Sequence, residues 1–333
     1  MTNTLLFVII YIMRQNSQLT NKYEKRASID MSSPKFQKFK KKAKRFFVNL
    51  KNEFIKNKNI VERLVIRNIK VQYRNSAIGI LWTILNPLLN MLVMYLVFGT
   101  IFGYEGPSYI LYLLCGNIMF HTLRGATQQS LPSLVKNRGL LTKNKIAYQV
   151  FPLSLNISAI VNFLFSYVAL LIVMFFVNVS TPYMNPFSPS MLKVILMLPA
   201  FFLFIYGVSL ILSAAYVYFR DILHFYTIFL TLWTYMTPIF YMTDRVGHGF
   251  LAQVFNIVLK LNPMVRFTEY FRNITYRNAS LASSDAWYVP EIQRSIIRAV
   301  DPTLGSLYGI GLSFFIIGTL IFTLTKRNFI YKI

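Results

Sequence analysis

Charged residues are spaced along this chain so that long uncharged, mostly apolar stretches lie between them: 75–104, 106–123, 149–179, 194–219, 222–243 and 302–325. About 20 apolar residues let an α-helix cross the ~30 Å hydrocarbon core of a bilayer. The pattern therefore predicts an all-α integral membrane protein with six transmembrane helices. The third stretch is followed by a Pro- and Ser-rich segment, 180–190, which reads as a short loop. The second holds Asn117 and His121, and its helix is free to continue past Arg124 with that side chain snorkelling or turned toward protein.

The polar connections carry unequal charge. Between the second and third stretches lie Arg124, Lys136, Arg138, Lys143 and Lys145 without an acid, whereas 244–301 mixes Asp244, Glu269, Asp285, Glu291 and Asp301 with basic residues. The positive-inside rule places the first connection in the cytoplasm and the second outside, and six spans then leave both termini cytoplasmic.

Ahead of the first span, the pattern changes. Over 60–74, Arg63, Arg67, Lys70 and Arg74 fall at spacings of four, three and four, one stripe of a helix, with Val61, Leu64, Val65 and Ile69 opposite. Asn68 and Gln72 interrupt the apolar side. An amphipathic helix over 56–76 lying in the membrane interface fits this pattern. Its stripe either anchors the chain or meets phosphate groups at a substrate entrance. Ser76 is placed to N-cap the first span, and Gly79 to admit a close neighbour. Trp82 sits near the interface, and Asn86 and Asn90 share a face that should look at protein or a passage rather than lipid.

Composition agrees with a membrane chain: 333 residues, 55% hydrophobic and only 14% charged. The formal charge of +24 would suit a nucleic-acid partner if it formed one surface, but 14–74 alone holds 18 basic and four acidic residues, so it belongs to the topology instead. Residues 1–55 form a basic, cytoplasmic N-terminal extension. Its apolar run Thr4–Met13 is too short to span, lacks a signal-peptide cleavage site and precedes a second possible start at Met31. The basic, Phe-studded run that follows suits an anionic inner leaflet. Residues 77–333 make up the six-helix domain, with an outer loop over 244–301.

Catalytic chemistry finds little material. His121, His224 and His248 are scattered, Cys115 is single, no carboxylate lies within a span, and no phosphate-binding loop occurs. The chain therefore reads as no enzyme, with no metal or catalytic residue of its own. The spans do hold groups suited to a large polar solute. Aromatic rings such as Trp82, Trp233 and Tyr235 cover sugar faces, while Asn86 and Asn90 meet hydroxyls, which makes these five the candidate channel-lining residues. Asn117, Asn156, Asn162, Thr231, Thr234 and Thr237 belong to the same polar set. A membrane enzyme acting on lipid-linked glycans, using Glu269 or Asp285, and a passive channel are the alternatives.

Five segments together carry a family resemblance: 70–102 (KVQYRNSAIGILWTILNPLLNMLVMYLVFGTIF), 133–146 (SLVKNRGLLTKNKI), Arg220-Asp221, 237–241 (TPIFY) and 261–274 (LNPMVRFTEYFRNI). In that order and spacing, the chain resembles the permease subunits of ABC exporters for cell-surface polysaccharides, the O-antigen, capsule and teichoic-acid export family. The likeness covers about 60–325 and leaves the first 55 residues outside it. It implies a homodimer in the bacterial cytoplasmic membrane that binds an ABC nucleotide-binding subunit and passes an undecaprenyl-linked polymer. ATP and Mg would be bound by that partner, so this chain needs no cofactor. Arg63, Arg67, Lys70 and Arg74 would then stand at the substrate entrance. Leu134, Lys136, Arg138, Gly139, Leu140 and Lys143 would couple to the ATPase, with Gly139 permitting a tight turn or close approach. Pro238, Asn262 and Pro263 would form an exit bend or gate, with short re-entrant helices in the outer loop.

Overall fold

Every described element is helical, as the long uncharged stretches require once no water is present to satisfy an open backbone. The computed structural model describes residues 57–72, 74, 78–102, 107–143, 146–180, 189–241, 250–277, 303–326 and 329. The chain divides between Lys58 and Asn59, and the second unit, Asn59–Ile333, holds the helices discussed here. The expected extension 1–55, the cap Ser76, Lys145, the loop 181–188 and most of the outer loop lie outside the described residues.

The helices are α1 (Lys58–Gln72), α2 (Trp82–Met94, prolonged by a π-helical turn Tyr95–Gly99 and a last turn Thr100–Phe102), α3 (Pro107–Ser130), α4 (Ser133–Lys136), α5 (Arg138–Lys143), α6 (Val150–Ser180), α7 (Lys193–Tyr218), α8 (Ile222–Tyr235), α9 (Phe250–Leu261), α10 (Pro263–Arg272) and α11 (Leu304–Thr325). Among the described residues, four runs are long and apolar enough to cross a membrane: Trp82–Gly99, Val150–Phe176, Pro189–Tyr218 and Leu304–Thr325. The other two expected spans differ for physical reasons. Helix α3 has 24 residues but keeps Asn117, His121 and Arg124 among them, and other helices enclose most of its surface. Helix α8 stops at Tyr235, well short of 243, because Pro238 follows without a backbone donor. Thr237 Oγ1 donates to the Trp233 carbonyl at 2.9 Å and helps close the helix end.

Gly79 corrects one expectation. A Cβ there would meet nothing within 4 Å, so the residue does not admit a neighbouring helix. Its φ of 58° instead lies in the left-handed region that glycine adopts without penalty, and it opens the 3-10 turn Gly79–Leu81 that leads into α2. Leu81, at the N-cap of α2, provides no side-chain cap.

Side-chain contacts set the helix directions. Tyr226 bonds Thr127, Thr234 receives Arg124, and the carbonyls of Pro238 and Phe240 accept from Tyr112 and Tyr109, so α8 runs antiparallel to α3. Helices α7 and α11 run parallel, with Ala200 against Gly311, Gly207 against Gly318, and the Tyr218 hydroxyl donating to the Thr325 carbonyl at 3.2 Å. A Cβ on Gly207 or Gly318 would collide with the facing backbone, which identifies a small-residue contact between spanning helices. The main core joins α3, α6, α7 and α10 through Leu111, Phe163, Phe201, Phe204, Phe267 and Phe271. A second core at one end packs Val61, Leu64, Leu134, Phe151, Leu210, Phe322 and Phe329. It thereby collects α1, α4, the start of α6 and the ends of α7 and α11. At the opposite end, Ser190 donates to the Ile274 carbonyl at 3.0 Å, beside α10.

Candidate functional site

Burying Val61 and Leu64 turns the basic stripe of α1 outward, and Arg63, Arg67, Lys70 and Arg74 are all exposed. The polar residues that interrupt its apolar side face the bundle. Asn68 Nδ2 donates to Ser154 Oγ at 3.4 Å, Gln72 Oε1 accepts from Asn162 Nδ2 at 3.0 Å, and Arg67 Nη2 donates to Asn137 Oδ1 at 3.4 Å. These groups were legible as irregularities but not as contacts, since their partners lie 70 to 90 residues away in sequence.

Behind α1 lie two cavities that share Asn68, Gln72, Gln129 and Leu155. The inner one, about 70 Å³, is bounded by α2, α3 and α6 and lined by uncharged amides and hydroxyls together with His121. Its lining includes Thr83, Asn86, Thr122, Ser158, Asn162 and Ser166. The outer one, about 630 Å³, adds Arg67, Ser133, Lys136, Asn137 and Ser154. A path from exposed cations to neutral hydrogen-bonding groups therefore follows the seam between α1 and the bundle. Of the expected lining residues, Asn86 stands on this seam, while Asn90 and Trp82 are exposed along the same face of α2. Asn156, by contrast, is fully buried between Ser130, Ser209 and the Pro152 carbonyl, where it joins helices.

Helix α8 presents a second exposed face with Phe225, Ile228, Leu232 and Tyr235. Trp233 points elsewhere: its Nε1 donates to Asn262 Oδ1 at 2.8 Å, and its ring meets Phe120 edge-on. Arg124 faces protein, donating to Thr234 Oγ1 at 3.1 Å with its guanidinium 5.8 Å from the Phe120 ring.

The expected coupling residues divide by burial. Lys136, Arg138, Gly139, Leu140 and Lys143 are exposed on α4 and α5, whereas Leu134 is fully buried and anchors the segment from beneath. Leu141 packs on the same core, leaving Leu140 to face outward. The tight turn expected at Gly139 is absent, since the residue sits within α5 without a positive φ. Open space lies where its Cβ would be, so a partner has room to approach.

At the other end, Asn262 ties α8 to α10. It N-caps α10 by accepting from Met264 N at 3.0 Å, and its Nδ2 donates to Thr237 Oγ1 at 2.9 Å and to the Met236 carbonyl at 3.2 Å. Pro263 occupies the first turn, where its missing N–H costs nothing. Pro238 is buried, with its carbonyl accepting from the Tyr112 hydroxyl at 2.8 Å. Below α10, Arg272 Nη1 pairs with Glu269 Oε1 at 2.7 Å, Nη2 donates to the Tyr112 carbonyl at 3.1 Å, and the guanidinium lies 3.4 Å from the Tyr112 ring centroid. Gly116 makes room, because a Cβ there would stand 2.8 Å from Arg272 Nη2. The three-residue spacing of Glu269 and Arg272 was the available sequence signal for this pair. Buried and paired, Glu269 is not poised as a general acid. Among the described residues no cluster of three or more His, Cys, Asp and Glu could hold a metal ion.

The ABC-2 type transporter family model matches residues 61–276. The chain is 27% identical over 231 residues to the O-antigen export system permease protein RfbA of Myxococcus xanthus, covering 69% of this chain and 85% of that protein. It is 26% identical over 215 residues to the O-antigen export system permease protein RfbA of Klebsiella pneumoniae, covering 65% and 79%.

Proposed function

Because this chain belongs to the ABC-2 type transporter family, we propose that it is the membrane subunit of an ATP-driven exporter of an undecaprenyl-linked polysaccharide or teichoic-acid-like polymer. The observation that carries this reading is the seam behind α1, where an exposed row of Arg63, Arg67, Lys70 and Arg74 leads to a neutral polar cleft containing Asn86 and His121. A lipid-linked polymer has the matching order of parts: a phosphorylated head that cations bind and sugars that amides and hydroxyls bind.

In this reading α3 and α8 complete six crossings of the bacterial cytoplasmic membrane, both termini are cytoplasmic, and α9 and α10 re-enter from outside. Shielding of α8 by α3 supports its crossing despite its length, since buried polar groups are tolerated where protein covers them. Two copies bring their exposed α2 and α8 faces together around the polymer, with Trp82, Asn90 and Tyr235 toward it. The nucleotide-binding subunit, which holds ATP and Mg, docks on Lys136, Arg138, Gly139, Leu140 and Lys143. Asn262, Pro263 and Pro238 hinge the exit.

Deleting the gene tests the assignment. Lipid-linked polymer should accumulate on the cytoplasmic side while surface glycan falls, and a copy on a plasmid should reverse both. Unchanged surface glycans without accumulation would overturn the exporter reading. Transport that continued without a bound ATPase would favour a passive channel instead.

A further inference from the structure

We propose that the larger cavity is an anion subsite whose occupancy is relayed to the ATPase-coupling segment, an inference that rests on the function proposed above. The cavity, about 630 Å³, lies where α1, α4 and the start of α6 meet, a size ordinary for small-molecule sites. Among the described residues of its lining, Arg67 and Lys136 bring two positive charges and there is no Asp or Glu. Asn68 and Ser154 supply neutral hydrogen-bonding groups. Ser133 is 2% exposed, lines the cavity and leaves its Oγ without a hydrogen-bond partner. A buried hydroxyl in that condition is unfavourable until an acceptor or donor reaches it. A diphosphate group suits the Arg67, Lys136 and Asn68 donors of this lining, since it carries negative charge and several acceptor oxygens.

The relay runs through Asn137, which separates α4 from α5. Its Nδ2 donates to the Ser133 carbonyl at 2.8 Å, and its Oδ1 accepts from Arg67 Nη2 at a long 3.4 Å. A phosphate oxygen competes well for that guanidinium, because a charge-assisted bond is about twice as strong as one to a neutral amide. Binding thus moves Arg67 from Asn137 to the ligand and releases a restraint on the segment bearing the exposed Arg138, Leu140 and Lys143.

The test uses the full chain in phosphatidylcholine nanodiscs, with and without its ATPase. Native mass spectrometry, without the ATPase, follows binding of undecaprenyl pyrophosphate doped into the disc, with inorganic pyrophosphate and phosphatidylglycerol as separate probes. Lys136→Ala should weaken binding of the doped lipid about tenfold and Ser133→Ala about threefold, with unchanged thermal midpoints, whereas Lys193→Ala at the opposite end should match the parent. With the ATPase added, Asn137→Ala should bring the unstimulated hydrolysis rate up to the lipid-stimulated one, and a parent-like unstimulated rate would overturn the relay. Lys136-dependent binding of inorganic pyrophosphate would support the subsite and assign it to a free anion, while binding of the doped lipid alone would support a lipid headgroup. Parent-like binding by both variants, or equal occupancy by phosphatidylglycerol, would overturn the subsite. A chain that binds the lipid through Lys136 but recruits no ATPase would leave the subsite standing and overturn the exporter reading.

Discussion

Arg272 illustrates what a single residue does in this bundle. It is fully buried, and its guanidinium meets the Glu269 carboxylate, the Tyr112 carbonyl and the Tyr112 ring at once. The pair is costly to desolvate, so breaking it differs sharply from replacing it. Arg272→Met strands a buried carboxylate and should destabilise the chain by about 3–5 kcal/mol, whereas adding Glu269→Gln should recover most of the loss. Thermal unfolding followed by fluorescence-detected size exclusion reads both, and a double variant no better than the single would contradict the pairing. The pair holds α10 against α3, next to the Asn262 junction, so α10 is positioned by charges buried inside the bundle.

At the scale of elements, the parallel contact of α7 and α11 is the tightest seam. Gly207→Leu or Gly318→Leu places a side chain into the facing backbone and should abolish monodisperse protein, while Gly309→Ala, where a Cβ meets nothing within 4 Å, should be tolerated. Yield of the monodisperse peak after mild detergent extraction measures the difference. The long helices and the basic stripe were legible in the sequence because both are periodic or contiguous signals. Less legible were features set by distant partners. Asn68 and Gln72 look like flaws in an apolar face until Ser154 and Asn162 are opposite them. Gly79 carries no mark that separates a left-handed turn from a packing contact. The early end of α8 follows from Pro238 and from the Asn262 clamp, of which only the proline was visible.

Across the whole molecule, the two ends gather different elements. One gathers α1, α4, α5 and the ends of α7 and α11, and the other holds α10 and the start of α7. In a Cys115→Ala background, Lys143→Cys should react with a membrane-impermeant maleimide only in inverted vesicles, and Lys193→Cys only in intact spheroplasts. The same sidedness for both would refute the alternation of helices.

The α7–α11 seam also sets a clock on manufacture. Roughly 110 residues separate Gly207 from Gly318, so at about 5–20 residues per second the ribosome leaves α7 without its partner for on the order of 5 to 20 s. During that interval the glycine groove is an unfilled slot in a membrane already holding the earlier spans. Lipid or the insertion machinery must occupy it, and a chain whose synthesis stalls before α11 carries the open slot as a mark of incompleteness.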